Sequence, residues 1–355
     1  MKKISTLEYN TLIWFLIRAC FTELTLTNII YYVKQDAWIS IIIGILLGLI
    51  PFFIYEYLKQ IFPNENIISL NNKIWQKGGK IINLITFITS LLLVTYTFFI
   101  LIKFTGTLFL YKTNLWIIST ALIIPIGYAA NKNIRIISRI SLMLFYVSIT
   151  FYFLIFSGLV RNIDISNIKP LFESNPKNIL NCSLIFIGIN IIKIYYLNMI
   201  PKQKIINYSS KNSLIMYLIS SLSVFIISII VICVLGINLS ILYKYPAFQL
   251  LKRVNFLVFD RIENILSIET IFAMFIEIII MIHYLKETIS INFNKKTNKY
   301  VIFICLFILI ISNNTFINYK SSEDFFTGPF LYITLLIIFI LPLLTLIKSL
   351  LYENT

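Results

Sequence analysis

A carboxylate, two hydroxyls and a carboxamide sit inside apolar runs of this chain where a plain membrane anchor has no use for them. Glu23 lies with Thr22 and Thr25 in one run, and Asn190 follows Phe186 and Gly188 in another. A charge placed at mid-bilayer costs at least about 2.5–3.5 kcal/mol, so Glu23 must face a cavity or a partner. Facing a cavity, it binds a ligand amine or carries a coupling proton. Facing a partner, it pairs with Arg18, Lys103 or Lys193, the three basic residues inside apolar runs. Arg18 and Glu23 are five residues apart, off the three- and four-residue spacing at which helical side chains meet, so that pair requires an unwound segment. The threonines serve either a solute or the carbonyls of their own preceding turn. Gly188 permits an irregular backbone, and Asn190 offers a donor and an acceptor beside it. Glu277, in a later run, needs Lys193 or Lys103 as a partner, or acts as a coupling group.

This set suits the binding of a small polar solute, and no arrangement for catalysis accompanies it. The chain has no glycine loop for phosphates, no nucleophile elbow and no zinc-type cluster. A single histidine, His283, cannot hold a metal alone. Cys20, Cys182, Cys233 and Cys305 all fall in apolar runs without ligand or pairing spacing, as packing residues do. The expectation is a protein that is not an enzyme and carries neither metal nor cofactor.

The elements that must position these residues are membrane spans. Of 355 residues 59% are hydrophobic and 13% charged, and the mean hydropathy is +0.88, a profile far from that of soluble domains. A span needs about 20 apolar residues. Ten segments follow, at roughly 7–33, 38–58, 81–110, 114–130, 138–160, 179–200, 213–236, 264–287, 299–312 and 328–351. The fourth and ninth are short enough to be re-entrant. No polar block interrupts the series, so residues 1–355 form a single transmembrane domain. Met1-Lys2-Lys3 leads into a segment with Arg18 and Glu23, which is no cleavable signal.

The net charge of +15 does not indicate nucleic acid, because the basic residues sit mainly in short connections between apolar runs. The partner it implies is membrane lipid. Connections on the N-terminal side, with Lys73, Lys77, Lys80, Lys132, Arg135, Arg139, Lys202 and Lys204 among them, are richer in Lys and Arg than those opposite. Both termini are therefore expected in the cytoplasm.

Segments one and six are the ones interrupted by several polar groups, and segments three and eight each show a lone charge, Lys103 and Glu277. This correspondence predicts an inverted repeat of five plus five segments, with halves at about 1–160 and 179–351 and breaks in helices one and six. In the connection 237–263, Gln249, Lys252 and Arg253 keep near-helical spacing after Pro246, with Phe248, Leu250, Leu251 and Val254 between them. This reads as an amphipathic helix on the outer surface or a plain folded loop.

Several local patterns resemble one family. They are Gln35-Asp36-Ala37-Trp38 before the second segment, Phe62-Pro63 after it and Gly78-Gly79-Lys80 before the third. Asp164-Ile-Ser-Asn-Ile-Lys-Pro170 follows the fifth, Gly188 lies in the sixth, and Tyr245-Pro246 and Asp260-Arg261-Ile-Glu263 precede the eighth. Their order and spacing over most of the chain resemble the spore germination permeases, the B subunits of GerA-type germinant receptors, within the amino acid/polyamine/organocation transporter superfamily. The resemblance implies a LeuT-like fold in the spore inner membrane, A and C subunits as partners, and a pocket between helices one, three, six and eight that senses a small-molecule germinant such as an amino acid or nucleoside. One departure stands out. Family members commonly have glycines in the first helix and a proline near its end, where this chain has Phe21-Thr-Glu-Leu-Thr-Leu-Thr-Asn28.

Overall fold

Hydrocarbon offers backbone groups no water, so a chain this apolar must satisfy them within helices. The computed structural model describes residues 3–159, 162–252, 263–293, 298–314 and 319–353. In these residues the fold is helical apart from one parallel pair of two-residue strands, β1 (Ile4–Ser5) and β2 (Ile205–Ile206).

The first apolar run begins with a capping box, in which Ser5 and Glu8 bond each other's backbone amides, and forms α1 (Thr6–Arg18). It breaks at Ala19–Cys20, continues through a π-helical turn at Phe21–Thr25, and resumes as α2 (Leu26–Val33). A tight turn at Lys34–Asp36 leads into α3 (Ala37–Ile61). The apolar stretch Thr6–Ile61 has 56 residues, about 84 Å of helix at 1.5 Å per residue, while the hydrocarbon core is about 30 Å thick. It therefore holds two crossings, divided at Lys34–Asp36.

There follow α4 (Ile67–Trp75), α5 (Lys77–Leu108), α6 (Leu115–Ala130) and α7 (Ile134–Leu159). The sixth run starts as α8 (Pro176–Phe186), widens into a π turn at Ile187–Ile191, then tightens into a 3-10 helix at Ile192–Met199. Beyond it lie α9 (Ser210–Leu242), α10 (Pro246–Leu251), α11 (Glu263–Phe293), α12 (Asn298–Asn314) and α13 (Tyr319–Thr327). The last run is α14 (Pro329–Leu335), a π turn at Leu336–Ile340, and α15 (Leu341–Glu353). Among the described residues seven stretches are long and apolar enough to cross a membrane, and Leu115–Ala130 and Lys299–Asn314 are shorter apolar helices. The two short segments are continuous helices.

The core gathers around α1, whose residues Tyr9 to Arg18 are all buried, and which packs against α7, α9 and α11. The expected surface helix after Pro246 is not at the surface. Phe248, Leu250 and Leu251 of α10 are buried against α9 and α11, because a six-residue helix with this many apolar side chains gains more from the protein than from the interface. Residues 253–262, with Arg253, Val254, Asp260 and Arg261, lie outside the described residues.

The motifs of the loops turn out to be joints. Asp36 accepts hydrogen bonds from the amides of Phe172 and Ser174, both at 2.8 Å, while Gln35 donates to Glu173 at 2.9 Å and Ser174 to the carbonyl of Val33 at 2.8 Å. The turn after α2 thus holds the segment that leads into α8. Asp164 accepts from the amide and hydroxyl of Ser166, which holds its carboxyl below the usual carboxylate range. The same loop serves α9. That helix kinks at Gly236, whose φ of 71° is in the left-handed region, and the freed carbonyl of Cys233 accepts from Asn167 Nδ2 at 2.8 Å and from the Asp164 amide at 3.2 Å. Gly79 is required by a close approach, since a Cβ there would lie 2.3 Å from the Asn71 carbonyl oxygen at the α4–α5 corner.

Candidate functional site

The break in the first helix is sharp. Ala19 is extended (ψ 135°) and Cys20 takes a left-handed conformation (φ 64°), uncommon for a residue with a side chain. Such a break strands carbonyls that would bond amides one turn on, and in a membrane these need partners from elsewhere. The sixth segment supplies them. Asn190 Nδ2 donates to the carbonyl oxygens of Ile17 at 2.8 Å and Ala19 at 3.1 Å, and Asn190 Oδ1 accepts from the Thr25 hydroxyl at 2.8 Å. Lys193 Nζ reaches the Ala19 oxygen at 3.4 Å. Asn190 and Lys193 are 0% and 1% exposed, so these are interior contacts.

Two ion pairs flank the break. Lys193 lies 2.8 Å from Glu277 Oε1, which also accepts from Thr97 of α5 at 2.9 Å. Of the partners considered for Glu277, Lys193 is the one within reach. Arg18 does not pair with Glu23. Its Nε and Nη2 bond Glu269 of α11 at 3.1 and 3.3 Å, its Nη1 bonds Ser223 of α9 at 2.7 Å, and its guanidinium lies 3.9 Å from the ring centre of Tyr152 of α7. Tyr152 in turn donates to Glu269 at 3.0 Å. The eighth segment carries Glu269 one helical stretch before Glu277, besides Glu287 at its end, and the expectation of a lone charge there is corrected: Glu269 was legible as a further carboxylate within 264–287. Lys103 stands apart from both pairs. It is half-buried, its ammonium 5.6 Å from the Phe99 ring centre, and it makes no ion pair among the described residues.

Glu23 remains the least committed group. It is 2% exposed, and Oε1 accepts from the neighbouring Thr22 hydroxyl. Oε2 accepts no hydrogen bond among the described residues. The Thr270 hydroxyl of α11 and the Glu23 backbone amide lie close enough to stabilise the carboxylate, and Glu269 is a charged neighbour. A buried carboxylate oxygen left open costs several kcal/mol and is the feature of the site that calls for a ligand group or a proton.

Two expectations about the sixth segment change. Gly188 does not mark an unwound backbone. The segment stays helical with an altered pitch, and a Cβ on Gly188 would lie 2.8 Å from Leu331 of α14, so the glycine serves close packing. Asn190 is not free for a solute either, because both its amide hydrogens and its oxygen are used. Phe186, 0% exposed, sets its ring edge-on to Phe21 at 6.0 Å between centroids and covers Gly44 of α3. Thr22, Glu23, Thr25, Phe186, Gly188 and Asn190 therefore do come together, enclosed on all sides, with Arg18, Lys193 and Glu277 one layer away.

Other buried polar groups brace the helices around the site. Asn28 donates to the carbonyl of Leu24 at 3.0 Å and to Glu323 of α13 at 2.6 Å, bracing the C-terminal part of the first run. At the N-terminal face Lys59, expected in a connection, lies within α3 with Nζ 2.5 Å from the Tyr9 hydroxyl, and Glu56 accepts from Tyr208. His283 Nδ1 lies 3.2 Å from the Ala130 carbonyl and Lys286 bonds that of Asn131 at 3.1 Å, so both serve the C-terminal end of α6. The four cysteines are free. Among the described residues no three His, Cys, Asp or Glu side chains are grouped to hold a metal.

Comparison with known proteins places this arrangement. Solved structures of the manganese transporter of Eremococcus coleocola share the fold. One single-residue variant superposes with a TM-score of 0.58 at 13% identity, covering 96% of this chain and 78% of the other. A second variant gives 0.57 at 12% identity with the same coverage. A complex with an aromatic bis-isothiourea compound gives 0.55 at 12%, again with the same coverage. Among curated proteins, spore germination protein KB of Bacillus subtilis (strain 168) is 24% identical over 256 residues, which is 69% of this chain and 67% of that protein. The profile of the spore germination proteins matches residues 3–321. A multi-pass membrane chain with a transporter's fold, a broken first helix and germination motifs at its joints thus belongs to the spore germination protein family.

Proposed function

We propose that this chain is the transporter-like membrane subunit of a spore germinant receptor, sensing a small nutrient, an amino acid or nucleoside, and triggering germination. The observation that carries the reading is the enclosed contact of the two irregular segments around Glu23, whose Oε2 is buried and unbonded among the described residues. A ligand amine at that oxygen would complete its hydrogen bonding and would favour one arrangement of the two segments over another, which is what a sensor requires. Family membership and the transporter fold support this reading. They also support ten transmembrane helices in a LeuT-like 5+5 inverted repeat, counting the two crossings of Thr6–Ile61, the seven further runs and the kinked last run as the sequence pattern suggests. On this reading the termini are cytoplasmic, the membrane is the spore inner membrane, and A and C subunits of the receptor are the partners.

The test is germination. Spores carrying Glu23→Gln, with redundant receptors deleted, are expected to lose or shift their response to particular nutrients while the protein remains at wild-type level. An unchanged response to every nutrient would sink the assignment of Glu23 to the ligand.

A second reading, an amino acid/proton secondary transporter, rests on the same open carboxylate, since a proton completes it as an amine does. Uptake of labelled amino acids into reconstituted vesicles decides between them. Saturable, pH-gradient-driven uptake that is lost in Glu23→Gln favours transport, and its absence in a receptor that still germinates favours sensing.

A further inference from the structure

A second polar site lies far from the breaks, at the end of the molecule that carries the N-terminus. A cleft of about 380 Å³ is walled by Ile4 of β1, by Lys204 beside β2, and by Asn133, Arg135 and Arg139 at the start of α7. A neighbouring cleft of about 400 Å³ shares Asn133 and Ile136 and adds Lys132 and Lys286. Five cations thus line two adjoining clefts. The acidic side chain bonded to any of them among the described residues is Glu8, 3.5 Å from Arg139. Arg135 Nε is buried without a hydrogen-bond acceptor. The first turn of α7, a helix of 26 residues, adds the positive end of its dipole.

The clefts open on an apolar ridge. Ile136, Ile140, Met143 and Val147 succeed one another at helical spacing along α7 and are 44%, 37%, 72% and 39% exposed. The ridge runs from the basic cleft toward the middle of a membrane-spanning helix, so an anion held in the cleft has its continuation against hydrocarbon. A soluble anion has no use for such a ridge, whereas a phospholipid needs both parts.

We propose that this cleft binds the phosphate headgroup of an anionic phospholipid, with an acyl chain along the Ile136–Val147 ridge. The phosphate completes Arg135 and neutralises Lys204, a contact that joins α7 to the strand pair. Since β1 precedes the first helix and β2 follows the sixth segment, the lipid ties the start of the first irregular segment to the end of the sixth. Its occupancy would favour the arrangement in which that end of the protein is closed.

The test uses the full-length protein in detergent, with native mass spectrometry to count retained lipid. Phosphatidylglycerol is expected to be retained roughly tenfold over phosphatidylcholine, with the preference falling as salt rises. Arg135→Gln with Lys204→Gln should abolish the preference. Lys112→Gln, an exposed lysine in another connection, should keep it. If the double variant fails to fold, Lys204→Gln alone serves, because that side chain makes no hydrogen bond among the described residues, and a loss of roughly threefold is expected. Equal retention of the two lipids by the wild type, or an equal loss in Lys112→Gln, would overturn the site. Full displacement of phosphatidylglycerol by millimolar inorganic phosphate would also overturn it, in favour of a free-anion site.

Discussion

The first and sixth segments are both irregular yet differ in what they do to their own backbone. The first breaks outright at Ala19–Cys20 and leaves carbonyls without partners. The sixth only changes pitch, from α to π to 3-10, so its own backbone stays bonded while its side chains Asn190 and Lys193 reach across to the first. One segment is the acceptor and the other the donor. A glycine-rich first helix would invite a ligand's carboxylate to its exposed amides. Here the exposed carbonyls are already occupied by protein, and of the buried carboxylates Glu23, Glu269 and Glu277, Glu23 is the one without a bonded cation among the described residues.

The comparison can be broken most severely at Lys193. Lys193→Met leaves Glu277 buried without a counter-charge and is expected to destabilise by about 3–5 kcal/mol. The double variant Lys193→Met with Glu277→Gln should recover much of that loss. Thermal unfolding in detergent, read by fluorescence-detected gel filtration, gives both values. If the single variant melts like wild type, Lys193 is not the first helix's tethered cation. Asn190→Ala removes three hydrogen bonds at once and is expected to cost about 2–3 kcal/mol, with Thr25→Val costing about 1 kcal/mol and the two effects less than additive in a double-mutant cycle. Strict additivity would mean that the two side chains do not act as one latch.

On the donor side, Gly188→Ala tests packing against backbone freedom. Overpacking against Leu331 predicts a loss of about 1–3 kcal/mol that Leu331→Ala partly restores. A backbone role predicts no rescue. The smallest effect is expected at the joint of the loops: Asn167→Ala removes one of the two hydrogen bonds to the Cys233 carbonyl at the Gly236 kink and should cost about 1 kcal/mol, visible as faster amide exchange in 230–240.

Much of this was legible because membrane spans obey a length rule. Each predicted segment meets a helix within a few residues of its expected ends, and the polar interruptions at Thr22–Asn28 and Phe186–Asn190 do fall at the two irregular places. What the letters withheld was pairing. Arg18 has Glu23 near it in sequence, but its partner Glu269 lies 251 residues on, and only the packing of α1 against α11 decides that. Gly188 illustrates a second limit: a glycine permits both an open backbone and a close approach, and the neighbour that selects between them, Leu331, sits in another helix. The motifs at Asp36 and Asp164 were recognisable as patterns, while their shared task of fastening the segment 162–175 was not.

The latch at Asn190 also sets an order of events in assembly. The carbonyl of Ile17 is made 173 residues before the side chain that serves it, an interval of roughly 10–30 s at ordinary rates of synthesis. Throughout that interval the bent form of the first helix lacks the contact that stabilises it, so a straight helix is the better conformation for the nascent chain. The bend is thus a late acquisition, installed when the sixth segment enters the membrane. Until then the contact between the two segments does not exist.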